Sequence, residues 1–409
     1  MIMKKYFRKQ EMFIINKEKI FFFFMTIYII SMYAFPEYVL ISESIFFIVG
    51  MFCIKKIKIN FWIFWSILLL IFYFISNLRT SNLQDSTKLY FYIFKNLSIG
   101  YILICNIFSI TKIERIMKLY IYGGILLALK LFYIFPTSYF FKYRLNIPEK
   151  GFNANTIGYS FAISFSFLLY FILVKKEKKI WNYLLGIILL VMIIFTESRI
   201  TFLLVIGNLF GLIILTSRSK IKTCIKILVL LILFLILGLR IEIIREKLFQ
   251  RIFILIEFLS GNNVTLDGSA SIRKDLVLEG LKLIPQKLFL GYGLGEFTSY
   301  SKWKLYSHNN YIELLVSSGI VGFFFFYLMY FYLLILNVKF LFRKKKIIYP
   351  FLINSFLLFL LELGHVSYYD RFWSLFLCLN FIVVNVLLDY KEYSCEKNKL
   401  YFEKYNKKS

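Results

Sequence analysis

The sequence predicts an all-α fold, a polytopic transmembrane bundle of about twelve helices with one large, mostly helical extracytoplasmic loop late in the chain. Three observations predict it. The 409 residues are 60% apolar and 21% aromatic, with a mean hydropathy of +0.72, where a soluble domain averages about 45–50% apolar residues. The apolar residues fall in runs of about 16–28, close to what a helix needs to cross a bilayer. Lysine and arginine crowd into alternate connections between those runs, the signature of a chain threaded back and forth across a membrane.

Taken in order, spans are expected at 20–35, 38–54, 61–76, 89–108, 119–135, 156–174, 180–195, 200–216, 223–239, 309–338, 347–364 and 372–388. The first two form a hairpin turned at Pro36. With the N-terminus placed in the cytoplasm, the inner segments hold 30 of the 50 basic residues within 73 positions, whereas the outer ones hold 17 within 114. Both termini are therefore expected inside, and the net charge of +27 becomes an attraction to the anionic inner leaflet. The charges are spread over short turns, which argues against nucleic acid as a partner. The first span lacks a small-x-small cleavage site and reads as a retained helix rather than a signal peptide. Cys53, Cys105, Cys224, Cys378 and Cys395 all fall in spans or on the inner side, so neither an external disulfide framework nor a metal-ligand spacing is expected.

Residues 240–308 interrupt this simple threading. A connection of that length is usually functional. The chain thus divides into nine spans over 1–239, the loop over 240–308, three spans over 309–388 and a basic cytoplasmic tail over 389–409. In the loop, Ile241, Ile244, Leu248, Ile252, Leu255 and Leu259 recur every three or four residues, as in an amphipathic helix lying on the membrane surface. "GNNVTLDGS" breaks it with turn residues. "SASIRKDLVLEGLKLI" reads as a second helix capped by Ser269 or Ser271, with Arg273 in its first turn. "GYGLGEF" reads as a flexible turn, and its glycines match no dinucleotide fingerprint.

His308 is one of only two histidines. Anchoring a helix end is the plain reading of a lone histidine. It stands, however, where the loop joins span ten, and Ser317, Ser318, Gly319 and Gly322 follow it. Small residues let helix backbones approach closely, and a held imidazole is what a general base requires. Arg199, in a short polar outer turn, either snorkels to the interface or faces the same compartment as the loop. Arg273 is either a solvated loop arginine or an anion site, its charge added to that of free amides at a helix start. His365, beside Tyr368, Tyr369, Asp370 and Arg371, reads as structural. Lys95 lies deep in a span and either snorkels or faces a cavity, its partner unnamed; Glu43, Glu313 and Glu362 near span ends are equally ambiguous. "GFNANTIGY", with Asn153 and Asn155, opens span six with hydrogen-bonding groups and reads as helix-capping or supporting.

These residues resemble a family. His308-Asn309, nine residues and then Gly319-x-x-Gly322 is similar to the histidine motif of the bacterial O-antigen ligase and O-antigen or capsular polysaccharide polymerase superfamily. Arg199 with Leu203, and "GSASIR" ending at Arg273, resemble its two arginine elements. The resemblance implies a glycosyltransferase of the cytoplasmic membrane that moves glycan from a polyprenyl-diphosphate-linked oligosaccharide on the outer side, with no metal and no other cofactor. Its catalytic residues would be His308, Arg199 and Arg273, with Asn309, Asn155, Tyr292 and Glu197 contacting substrate. Membrane lipids, a chain-length regulator and a flippase are the partners it brings to mind. A polymerase joining lipid-linked repeats is the expected role, a ligase to lipid A-core or protein the alternative. A flippase is a third reading, although the halves show no repeat of the kind transporters carry, and a non-catalytic scaffold is a fourth.

Overall fold

The computed structural model describes residues 2–54, 56–145, 153–240 and 268–406. Among them there is no strand. The helices are α1 (Ile2–Ala34), α2 (Val39–Phe52), α3 (Phe61–Asn77), α4 (Leu83–Asn106), α5 (Ile110–Ile134), α6 (Thr137–Lys142), α7 (Ala154–Leu169), α8 (Ile180–Thr196), α9 (Arg199–Thr216) and α10 (Lys220–Arg240). After the loop come α11 (Gly268–Leu283), α12 (Phe297–Tyr300), α13 (Asn310–Phe342), α14 (Tyr349–Leu361) and α15 (Arg371–Asn406).

Each of the twelve expected spans falls on a helix. Five stretches among the described residues are long and apolar enough to cross a membrane: Ile110–Ile134, Ala154–Val174, Arg199–Thr216, Asn310–Phe342 and Arg371–Asp389. Phe61–Asn77, Ile180–Thr196 and Lys346–Leu361 are apolar but shorter. The hairpin at Pro36 is present, the proline opening a single 3₁₀ turn between α1 and α2, where its missing N–H costs nothing. The expected surface helix over 241–259 and residues 261–267 of the "GNNVTLDGS" break lie outside the described residues.

α7 sits at the centre, against α5, α8 and α9. Its residues from Ile157 to Leu169 are all buried, as a helix apolar on every side must be. Small side chains let it approach its neighbours: a Cβ on Gly158 would strike Thr201 of α9, and one on Gly124 of α5 would meet Ser164 at 2.6 Å. Some polar groups in this interior bond from helix to helix. Asn208 of α9 donates to Asn354 of α14 at 2.8 Å, and Ser166 of α7 donates to Asn208 at 2.6 Å. Such bonds hold helices that gain no hydrophobic contrast against lipid.

Lys95 finds its partner here. Its Nζ lies 2.7 Å from Glu43 Oε2, and Arg371 Nη2 reaches the same oxygen at 3.1 Å. The cluster ties α2, α4 and the start of α15 together.

Candidate active site

The 33-residue helix α13 is two half-helices. Gly319 takes φ 64°, ψ −171°, a conformation open only to glycine, and a Cβ there would fall on the Phe289 carbonyl. Residues 288–293 insert at the break. Tyr292 N donates to Val316 O at 2.8 Å and Gly293 N to Ser317 O at 2.9 Å, while Ile320 N donates to Leu288 O at 2.7 Å. Carbonyls ending one half-helix and an amide starting the other are thereby satisfied, as buried backbone requires. The glycine motif after His308 thus acts in two ways. Gly322 sits close against Phe72 of α3, which a Cβ would meet at 2.8 Å, in keeping with close helix approach; Gly319 instead breaks the helix. Nor is "GYGLG" a free turn: Gly291, Gly293 and Gly295 all have positive φ and are held against α13, Thr80 and Leu89 of α4 respectively.

Glu296 completes this lock. Its carboxylate accepts from Thr80 Oγ1, from Ser81 Oγ at 2.7 Å and from Asn82 N at 2.7 Å. Burial pushes the carboxyl's pKa up, but these hydrogen bonds outweigh it and hold the group below its ordinary value.

α11 begins at Gly268 rather than at a Ser269 or Ser271 cap. Arg273 consequently lies more than one turn inside the helix, where backbone amides are already bonded, and brings its own charge rather than a helix-start anion site. α11 is pressed on α13 through a small cluster of Leu276, Tyr292, Phe297, Ile312 and Val316, with Gly280 directly against Ile312. This contact carries Arg273 to the mouth of α13.

At that mouth stands His308, half-buried, its ring centroid 4.0 Å from that of Tyr306. Its neighbours are tightly held. Ser307 N donates to Glu313 Oε2 at 2.8 Å, and Asn309 caps α13, its Oδ1 accepting from Tyr311 N at 3.0 Å and Ile312 N at 3.1 Å. Asn310 reaches across to the connection between α14 and α15. It donates N to Glu362 O at 2.8 Å and accepts at Oδ1 from Ser367 N at 2.9 Å and Tyr368 N at 3.1 Å. Glu362 in turn accepts from Tyr327, Tyr330 and Ser367.

That brace brings His365 into the group. Its ring packs 4.9 Å from Tyr159 and 6.0 Å from Trp373, with Nε2 3.8 Å from Asp370 Oδ2. Burial, then the Arg273 charge, then His365 push the His308 pKa down to about 4; burial pushes His365 down to about 4 as well. Asp370 is pushed up to about 6 by burial, against hydrogen bonds from the Trp373 and Phe372 amides and the Arg371 charge. Both imidazoles are neutral at physiological pH. Arg273 also acts electrostatically on Tyr306 and Tyr159. Among the described residues no carboxylate is within ion-pair distance of Arg273, so its charge is offered to whatever enters.

Arg199 opens α9, half-buried, with Ser198 capping the helix and Glu197 ending α8 in the left-handed region at φ 50°. The next residue, Ile200, touches Gly364, which precedes His365. The α8–α9 turn therefore abuts the same connection that holds His365. Asn155 Oδ1 is engaged at once by Ser198 Oγ at 2.9 Å and Arg144 Nη2 at 3.0 Å, bracing α7 to this turn. Tyr292 is buried in the α11–α13 junction and donates its hydroxyl to Gln286 at 2.9 Å. Sequence reasoning singled out neither Arg144 nor His365 for the site. For Arg144 the available signal was an arginine in a short outer connection, as at Arg199; for His365 it was the scarcity of histidine.

With this geometry in hand, comparison with known proteins adds one finding. A family model described as O-antigen ligase matches residues 184–327, from α8 into α13, a span that contains Arg199, Arg273 and His308. The resemblance to the O-antigen ligase and polymerase superfamily holds over that segment. No curated protein matches the chain.

Proposed function

We propose, from the O-antigen ligase match together with the cluster around His308, that this chain is a polysaccharide polymerase. It would transfer glycan from a polyprenyl-diphosphate-linked donor to a sugar hydroxyl of a second lipid-linked repeat. The reaction would take place at the outer side of a bacterial cytoplasmic membrane, with both chain termini inside. The acceptor hydroxyl gives its proton to His308 as its oxygen attacks the anomeric carbon. The bond from that carbon to the diphosphate oxygen breaks, and the diphosphate leaves with the electron pair. Arg273, and Arg199 from the facing turn, receive the growing negative charge; a guanidinium bonds phosphate oxygens in pairs and stays charged throughout.

The observation that carries this reading is the Arg273 charge acting on a neutral, half-buried His308. An imidazole with a pKa near 4 is free to accept a proton but accepts it weakly. An anionic diphosphate beside Arg273 offsets the guanidinium and lifts the imidazole pKa towards its ordinary value. Donor binding would then prime the base, and an empty site would stay unreactive.

An O-antigen ligase would use the same residues with a different acceptor, and the family description fits it equally. Nothing among the comparisons favours a flippase. The deciding experiment supplies the purified chain with one purified lipid-linked repeat. A polymerase lengthens it, and His308→Ala does not. No product until a second kind of acceptor is added would overturn the polymerase in favour of the ligase.

A further inference from the structure

A groove of about 620 Å³ runs between α2 and α4, at the end of the bundle that carries His308. Ser44 and Ile48 line one wall; Lys88, Phe91, Phe94 and Lys95 line the other. Its apolar side chains are open to the surroundings: Ile48, Phe91 and Phe94 are 56%, 61% and 44% exposed. Apolar surface of that size is not expected on a soluble face, and spans over 38–54 and 89–108, as the sequence leads one to expect, would open this trough to the hydrocarbon around the bundle.

The charges in it do not cancel. Lys88 pairs with Asp85 at 3.0 Å. Lys95 and Arg371 share the single carboxylate of Glu43, which is fully buried. Among these five side chains one positive charge remains, on the groove side, where the Lys95 side chain keeps 27% of its surface exposed; Asp370, which also feels the Arg371 charge, faces His365 instead. Lys88 and Lys95 are seven residues apart on one helix face, about 10 Å along the axis. An ionic group inside a membrane span is costly and calls for a counter-ion.

We propose that this groove seats an anionic glycerophospholipid of the surrounding bilayer. Its phosphodiester lies between Lys88 and Lys95, and one acyl chain runs along Phe91, Phe94 and Ile48. The single residual charge matches a phosphodiester, which carries one negative charge, better than a diphosphate. The groove's cations are lysines, point charges without the paired donors that favour a diphosphate at an arginine. The seat has a consequence for the rest of the molecule. A phosphate against Lys95 biases how Glu43 is shared, and Glu43 positions Arg371, which starts α15 directly after Asp370 and near His365. The proposal does not depend on the glycosyl-transfer reading.

The test uses the full chain purified in a neutral detergent, with native mass spectrometry to count retained lipid and thermal unfolding to read stability. Phosphatidylglycerol is expected to remain bound and to raise the melting temperature, and phosphatidylcholine to do so less. Ser44→Trp fills the trough and should abolish the difference between the two lipids. Lys88→Gln should weaken phosphatidylglycerol retention by about fivefold, the effect of one lysine near an anionic surface. Both side chains are exposed, so neither change disturbs the interior. Equal retention of phosphatidylglycerol by the wild type and both variants would overturn the seat. So would displacement of that lipid from the wild type, but not from Ser44→Trp, by a polyprenyl diphosphate.

Discussion

His308 holds a left-handed backbone conformation, φ 54°, uncommon for a side-chain-bearing residue and costing on the order of 1–3 kcal/mol. That strain is sustained by bonds on either side, from Ser307 to Glu313 and from Asn309 to the first amides of α13. The result is an imidazole aimed by its neighbours rather than by its own preference. Replacing it by alanine should lower glycosyl transfer by about 10²–10⁴ if it is the general base, with an unchanged melting temperature showing that the fold survives. Arg273 separates charge from geometry. Burial depresses His308 most and the Arg273 charge adds to it, so Arg273→Gln should raise the imidazole pKa above about 4 while burial still holds it below its ordinary value. Arg273→Lys keeps the cation and should leave the pKa low, yet transfer should still fall because an ammonium lacks paired donors. Proton NMR of the imidazole signals reads this directly, since the chain has two histidines and His365→Gln assigns them. An unmoved His308 pKa in Arg273→Gln would separate the two residues. The sign carries into activity: the neutral base persists down to pH near 4, so the acid limb of the wild-type pH–rate profile should lie well below that of an ordinary histidine, rising only as bound diphosphate offsets Arg273.

At the scale of elements, the broken helix α13 and its inserted segment 288–293 form the frame on which Arg273 and His308 meet. Gly319→Ala must either move the Phe289 carbonyl or close the break. Either outcome strands the Tyr292 and Gly293 amides that now bond to the first half-helix, at about 1–3 kcal/mol for each donor left unpaired in the interior. A lower melting temperature together with lost transfer is expected; normal values for both would mean that the interlock does not support the site. Glu296→Ala should act similarly, by leaving Thr80, Ser81 and the Asn82 amide without their acceptor. These elements were only partly legible beforehand. Apolar runs place the helices because burying or spanning with them is the one favourable use of such residues, and His308 was marked by rarity and by the small residues after it. The break at Gly319 was not legible, because a glycine spaced for close packing and a glycine needed for positive φ look alike until the segment that fills the gap is known. The start of α11 was misjudged for a related reason, since serine favours a cap but tolerates the first turn of a helix that begins earlier.

Across the whole molecule, what sequence reasoning could not supply is long-range pairing. Asn310 binds the Glu362–Tyr368 connection, and Glu43 gathers Lys95 and Arg371 from helices that lie 52 and 328 residues further along the chain. Each of these residues carried a signal, a polar or charged group in an apolar run, but spacing along the chain says nothing about partners that meet only on folding. The Glu43 cluster gives the sharpest test of whether such pairing shapes the site. Removing the carboxylate leaves two cations facing each other in a low-dielectric interior, and breaking a buried pair costs about 3–5 kcal/mol. Lys95 and Arg371 are 27% and 19% exposed, so solvent relieves part of that repulsion and the loss should fall at or below the lower end. The consequence should not stay local. Arg371 begins α15 immediately after Asp370, whose carboxylate faces His365, so its displacement should alter the surroundings of His308. Glu43→Ala should therefore melt at a lower temperature and transfer glycan more slowly, while the double change Glu43→Leu with Lys95→Leu, which removes the unpaired cation as well, should recover most of the stability. If the double change is no better than the single one, repulsion between Lys95 and Arg371 is not what the carboxylate prevents, and the coupling of this cluster to the site through Arg371 loses its basis.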